Sequence, residues 1–498
     1  MRMKSLFIAS ALAGSMLSTP MLLAQEVNKE HIGTTQSWLA QGEKAIAERL
    51  AQKPNTNRAK NVILFVGDGM GISTLTAGRI LEGQLNGQPG EENYLSFERF
   101  PNTALVKTYN VNAQVADSAG TASALNTGTK TEIGVINTAP NHPNGVCKGM
   151  EKDAPKPLAY FAEKAGMSTG IVSTARLTHA TPAAVFSISP SRGWENDTEL
   201  TEEAIEYKCA DIASQITTDL GGNGLEVVLG GGARNFLPKE EGGKREDGRN
   251  IVTEWQEKYE NSAYVSNREE MKAADLNKTD HLFGLFSSSH MSFTLEEAAD
   301  EPTLAEMTET AINMLSKNEN GYYLMVEAGR IDHGHHGGNA NAALNDTVAL
   351  SAAVRKALEL VDTEDTLILV TADHSHTFTM AGYPKRGNPI LGLVSAPGQK
   401  DGEYTMAKDG KPYTTVGYQN GPGAIEGERK HLTNEDTHDP EFQQQAAIPL
   451  WSETHGGEDV ALFGVGPWSH LVTGTMEQNV VFHIMNHALD LKSRVKEK

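Results

Sequence analysis

Leu324-Met-Val-Glu-Ala-Gly-Arg-Ile-Asp-His-Gly-His-His-Gly-Gly338 joins a strand to a site. Tyr322 to Val326 is an apolar run short enough for a buried strand, and a glutamate, an aspartate and three histidines follow it directly. Side chains of that kind gathered at one strand end call for a cation. Asp332 and His336 stand four apart, so a helix starting here projects both from one face, and a carboxylate with an imidazole is a natural pair of zinc ligands. Glu327, at the strand end, is a hard oxygen donor that suits magnesium better. A solvated polar loop would have the same composition, so other parts of the chain have to decide.

The strand-then-helix unit recurs. Apolar runs stand at Asn61 to Val66, Ser168 to Ser173, Leu225 to Leu229, His281 to Phe286, Thr366 to Val370 and Val460 to Gly464. Between them lie helix-like stretches at Pro157 to Ala165, Glu202 to Asp219, Leu304 to Ser316 and Asn341 to Leu360. This alternation predicts an α/β fold with a large, mostly parallel central sheet flanked by helices, and ligands then gather at the carboxyl ends of the strands. Thr34 to Gln52 precedes the sheet as an amphipathic helix, with Leu39, Ile46 and Leu50 at helical spacing. From about 381 to 448 the chain is rich in Gly, Pro, Tyr and Asp without helical period, which marks an inserted cap.

Two further strand ends repeat the chemistry of the first. Asn61 to Val66 runs into Gly67-Asp68-Gly69, where a carboxylate inside a glycine turn repels phosphate unless a cation stands between them. Thr366 to Val370 runs into Asp373-His374. Each motif alone is equally well a turn or a helix cap, but three acidic strand ends on one edge of a parallel sheet point to a shared metal site. Thr454-His455-Gly-Gly offers another imidazole. In Gln114-Val-Ala-Asp-Ser-Ala-Gly-Thr-Ala122, Ser118 stands where a helix begins, among exposed amide donors. Asp117 or Ser118 could simply cap that helix. As a nucleophile, Ser118 has no histidine beside it in sequence to act as base, so a metal would have to lower the pKa of its hydroxyl.

The 498 residues carry a formal charge of −21, which argues against a nucleic-acid binder. An anionic substrate would be drawn only by cations placed locally. Residues 1–24, with Arg2 and Lys4 ahead of an uncharged run, read as an export signal peptide and not as a membrane anchor, which predicts a periplasmic or secreted protein. Cys147 and Cys209 are the only cysteines, and a pair in an exported chain is expected to form a disulfide.

Asp68, Asp117-Ser118-Ala119, Glu327 to His336, Asp373-His374 and His455, in that order, resemble the alkaline phosphatase family over about residues 30 to 490. The resemblance is greatest to its animal-like branch, through Val-Glu-Ala-Gly-Arg-Ile-Asp-His-Gly-His-His, Thr-Ala-Asp-His-Ser-His and Glu-Thr-His-Gly-Gly-Glu-Asp-Val. It implies a three-layer α/β sandwich, residues 25–498, with a crown at about 381–448. It further implies hydrolysis of phosphate monoesters at alkaline pH through a phosphoserine on Ser118. One Zn2+ would sit among Asp332, His336 and His455, and a second among Asp68, Asp373 and His374. A single Mg2+ would be held by Asp68, Thr181 and Glu327, with His179 and His333 supporting it through its waters. Arg192 matches the arginine that grips the substrate phosphate, a role suited to its fork of donors. Cys147 and Cys209 match a paired bridge, and a homodimer is implied in which the N-terminal helix reaches the partner.

The branch's extra calcium needs an acidic residue after Gly-Leu-Phe; here Gly284-Leu-Phe286 is followed by Ser287, so calcium is not expected. Rival readings are a phosphodiesterase or sulfatase of related fold, or a periplasmic scavenger of metal or phosphate. Ser118-Ala-Gly-Thr-Ala122 lacks the Cys/Ser-x-Pro-x-Arg setting of a sulfatase.

Overall fold

Asn61-Val-Ile-Leu-Phe-Val-Gly67 is buried along its whole length, as a strand covered on both faces must be, and it lies near the middle of a ten-stranded sheet. The structure is a computed structural model describing residues 33–296 and 298–495, so the export signal expected at 1–24 lies outside it. In chain order the strands are β1 (Asn61–Gly67), β2 (Asn102–Lys107), β3 (Ser168–Arg176), β4 (Val227–Gly231) and β5 (Ser262–Val265). There follow β6 (His281–Leu285), β7 (Tyr322–Ala328), β8 (Thr366–Ala372), β9 (Ser375–His376) and β10 (Phe378–Met380). The last are β11 (Val416–Gly421), β12 (Ala446–Pro449), β13 (His455–Gly456), β14 (Val460–Val465) and β15 (Thr475–Glu477).

The large sheet runs β15-β2-β14-β8-β1-β7-β3-β4-β6-β5. From β8 to β5 every neighbouring pair is parallel. The exception is β14, antiparallel to both β2 and β8. Register decides where the site falls. Val66 stands level with Glu327 on one side and Thr371 on the other, so the chain leaves β1, β7 and β8 at nearly the same height.

Helices cover the sheet, the longest being Ala340–Leu360; Leu304–Leu315 opens with a capping box between Thr303 and Glu306. The single helix expected over Glu202 to Asp219 is broken instead. Glu202–Glu206 ends at a left-handed Lys208, Cys209 is tied to Cys147, and only a 3-10 turn follows at Ala213–Thr217. The strand read at Leu225 to Leu229 lies two residues later, at Val227–Gly231. Three strands of the large sheet went unread, β2, β5 and β15; they are short, and none is buried along its whole length as β1 is.

Cys147 and Cys209 are bonded, with Cα atoms 6.0 Å apart, and pack with Met150 and Trp194. β11 lies within 381–448 and β12 runs just past its end; both join β10 in a three-stranded sheet, and Ile390, Leu391, Val416 and Tyr418 pack there against Ala77, Ile80 and Leu81. The helix Thr35–Ala51 has no buried residue and leaves Leu39, Ile46 and Leu50 exposed. No helix among the described residues is long and apolar enough to cross a membrane.

Candidate active site

Gly69 turns the chain after β1 with φ +71°, and a Cβ there would lie 2.4 Å from the His376 ring, so only glycine fits. Its amide donates to Asp373 Oδ1 at 3.0 Å, which ties the β1 turn to the end of β8. Helix Ser118–Thr127 points its amino end at the same place. Asp117 caps it by accepting from the Gly120 amide at 3.2 Å. Ser118 is buried, its Oγ 3.1 Å from His374 Nε2 and 3.5 Å from Asp68 Oδ1. Thr121 Oγ1 donates to Asp373 Oδ2 at 3.1 Å. The expected set Asp68, Asp373 and His374 therefore surrounds the serine, with ligand atoms close enough to share one ion.

Asp332 and His336 ride one helix, Arg330–His336, with Oδ1 and Nε2 3.3 Å apart. His455 comes from far along the chain and is placed by the antiparallel pairing of β13 with β9. Its Nε2 lies 3.3 Å from Asp332 Oδ1 and 3.0 Å from His336 Nε2. Its Nδ1 lies 2.7 Å from the Ala116 carbonyl, which orients the ring.

The third expected set is also gathered. Asp68, Glu327 and His179 converge, and Thr181 is buried beside Glu327. Arg192 reaches this group from the side, donating to Asp117 Oδ2 at 3.0 Å and lying 2.9 Å from His179 Nε2. His333 packs against His179 with ring centroids 5.5 Å apart.

Burial, with the charges of Asp373, Asp332 and Glu327 added, pushes the Asp68 carboxyl well above its ordinary range. Burial likewise lifts Glu327 to about 7 against a hydrogen bond from Ser173, and drives His374 down to about 3. Four buried polar atoms here, Asp68 Oδ2, Glu327 Oε1, Thr181 Oγ1 and His179 Nδ1, have no hydrogen-bond partner. Carboxylates crowded out of water with unused lone pairs are costly unless a cation sits among them. The donor set is the one hard or borderline divalent ions prefer, so these residues fit such ions.

A family model described as alkaline phosphatase matches residues 59–491. The chain belongs to the alkaline phosphatase family. It is 43% identical over 469 residues to the tissue-nonspecific alkaline phosphatase of Felis catus, spanning 91% of this chain and 88% of that one. Against the alkaline phosphatase of Gadus morhua it is 42% identical over 468 residues, or 91% of this chain and 96% of the relative. The crystal structure of Thermus thermophilus alkaline phosphatase shares the fold at 24% identity, with a TM-score of 0.62 over 88% of this chain and 93% of that one. The protein is thus an enzyme of this type, a hydrolase of phosphate monoesters from a family that uses divalent metal ions.

Sequence reading of this alkaline phosphatase family member passed over several residues that the structure puts at the site. Ser173, in β3 level with Glu327, donates to it. His376 bridges two carboxylates, Asp332 and Glu453. Asp117, read only as a cap, also holds Arg192. His376 and Glu453 do lie inside quoted motifs, Asp373-His-Ser-His376 and Glu453-Thr-His455, but nothing in one dimension shows that they face each other.

Proposed function

We propose that the protein is an exported phosphate monoesterase working through a phosphoserine on Ser118, with a preference for alkaline pH. The observation that carries this reading is the buried Ser118 hydroxyl, set at a helix amino end between His374 Nε2 and Asp68 Oδ1. Asp332, His336 and His455 would hold one zinc ion and Asp68, Asp373 and His374 another. Asp68, Thr181 and Glu327 would hold magnesium, with His179 and His333 supporting it. When bound, the ions supply Lewis-acid stabilisation of the attacking and leaving oxygens and a lowered pKa for the serine hydroxyl.

The chain's own residues do the rest. Ser118 gives its proton to solvent as its Oγ bonds to phosphorus, the bond to the alcohol oxygen breaks and that oxygen takes up a proton; water then attacks phosphorus, the P–Oγ bond breaks, Ser118 regains a proton and inorganic phosphate is freed. Arg192 clamps the non-bridging oxygens as charge builds on them. Because Asp117 pins that guanidinium, nucleophile and clamp are positioned by adjacent residues of one chain segment. The amino end of helix Ser118–Thr127 adds its positive dipole end beneath the phosphoryl group. Imidazole and carboxylate ligands bind metal only when deprotonated, hence the alkaline preference.

The same reading covers placement and assembly. Residues 1–24 direct export to the periplasm or medium, where the Cys147–Cys209 bond is stable. Residues 25–498 form the catalytic domain, with 381–448 as its crown. Two copies pair, and the partner covers the apolar stripe of Leu39, Ile46 and Leu50.

The test uses purified protein supplied with zinc and magnesium. Wild type is expected to hydrolyse p-nitrophenyl phosphate far faster than bis-p-nitrophenyl phosphate or p-nitrophenyl sulfate, and acid quenching traps a phosphate on Ser118 by mass spectrometry. Ser118→Ala loses both signals. A sulfate or diester preference, or equal negligible turnover of wild type and Ser118→Ala, overturns the reading.

A further inference from the structure

The carboxyl edge of the sheet changes sign along its length. At β8, β1 and β7 the strand ends bear Asp373, Asp68 and Glu327. Continuing through β7, β3, β4 and β6, the residues at or just past the ends are Arg330, Arg176, Arg234 and His290. This basic row starts next to the reacting centre. His290 lies 5.3 Å from His179 and 4.0 Å from His333 by ring centroids, and His179 in turn touches Arg192.

Its positive charge is only partly answered. Arg176 is neutralised by Glu195 through two hydrogen bonds of 2.6 and 2.7 Å. Among the described residues no carboxylate forms an ion pair with Arg330 or Arg234, and the Nε of each is buried without a partner. Arg330 Nη1 lies 3.2 Å from His333 Nδ1, and its guanidinium stacks over Phe293 at 3.7 Å. Glu296, Glu301 and Asp346 act on Arg330 only through space, their oxygens bonded to the Phe293 amide, the Ser292 amide and Thr294, and Glu195, already bonded to Arg176, acts likewise on Arg234. At His290, Nδ1 accepts the Arg176 amide at 3.2 Å, so the proton of the neutral ring sits on Nε2, facing Arg176 Nη1. Burial and the surrounding His333, Arg176, Arg330 and Arg234 push this imidazole well below its ordinary range.

We propose that this row binds the second phosphate of a substrate that carries two, while the first reacts at Ser118. The proposal rests on the reading of Ser118 as nucleophile. A phosphate fits because it offers several acceptor oxygens and two charges to converging guanidinium forks, which pair with phosphate better than any point charge. On a chain of formal charge −21 such a local cluster is also what draws an anion in.

The test compares terminal alkanediol bisphosphates, from propane to hexane, with the matching alkyl monophosphates on the metal-loaded enzyme. One chain length is expected to show kcat/KM at least tenfold above its monophosphate, beyond the statistical factor of two. Arg234→Gln and Arg330→Gln should each cut that advantage about fivefold or more through KM. Their kcat/KM for p-nitrophenyl phosphate should stay within about twofold, which also shows that they fold. Competitive inhibition should follow the same order, with methylenediphosphonate or longer bisphosphonates favoured over methylphosphonate in wild type only. Equal rates for bisphosphates and monophosphates, or variants that slow all substrates alike, overturn the subsite and leave the phosphatase intact. Wild type inert to p-nitrophenyl phosphate overturns both.

Discussion

His376 Nδ1 lies 2.6 Å from Glu453 Oε2, and the opposite ring nitrogen lies 2.8 Å from Asp332 Oδ1. Both neighbours are acceptors, so the ring must donate twice and carry a positive charge. Burial alone would lower its pKa, but the two carboxylates push it up to about 9. The imidazolium thus holds Asp332 at the angle where His336 and His455 meet it. Replacing His376 by Ala should weaken zinc binding ten- to a hundredfold, on the order found for residues that orient ligands. Competition with a chromogenic chelator measures this, and an unchanged zinc affinity would refute the role.

Asp117→Asn separates two duties of one side chain. Asn caps a helix as well as Asp does, so melting temperature should move by no more than about a degree or two. The anchor of Arg192 is weakened, and a guanidinium free to wander must be ordered again by each phosphate. KM for p-nitrophenyl phosphate and the inhibition constant for inorganic phosphate should both rise several-fold. A variant that binds phosphate as tightly as wild type would show that the ion pair does not position Arg192.

The unpaired lone pairs of Asp68, Glu327 and Thr181 predict that metal is part of the fold's stability. Ions that bind only the native state add about 4 kcal/mol per site at a thousandfold excess over Kd. Dialysis against a chelator should therefore lower the melting temperature by several degrees or more, and zinc with magnesium should restore it. Calorimetry that shows no shift would rule this out.

A second acidic pair lies far from the site. Glu163 accepts from Thr169 Oγ1 at 2.6 Å and Glu226 from the Thr169 amide at 2.6 Å. Burial first, then for Glu163 the charge of Glu226, lifts them to about 8 and about 7. A carboxyl raised in the folded state stabilises it below its unfolded pKa near 4.5 and loses that contribution as pH climbs through 7 to 8. Glu226→Gln, neutral throughout, should melt a few degrees above wild type at pH 9 and level with it near pH 5. Measured with metals in excess, a difference that is flat across that range would contradict the assignment.

How much of this was legible in one dimension follows from the range of each interaction. Asp332 and His336 could be placed together because helical spacing is local, and the acidic ends of β1, β7 and β8 because a buried parallel strand announces itself as an apolar run. Helix Glu202 to Asp219 was misread because a left-handed Lys208 and the tie from Cys209 to Cys147 override local propensity. The short strands β2 and β15 were missed because their pairing partners, not their own composition, make them strands.

By itself, then, the sequence determined the strand-and-helix alternation, the acidic strand ends and the helix start at Ser118, since these depend on neighbours a few residues apart. Tertiary structure alone decided that His455 meets Asp332, that His376 joins Asp332 to Glu453, and that Arg192 and Asp117 share a bond. It also drew Arg176, Arg234, His290 and Arg330 into one row. Those meetings depend on strand order and register, set when β13 pairs with β9 and β7 lies between β1 and β3. Hydrophobic burial over the whole sheet chooses that order, and no short stretch of chain contains it.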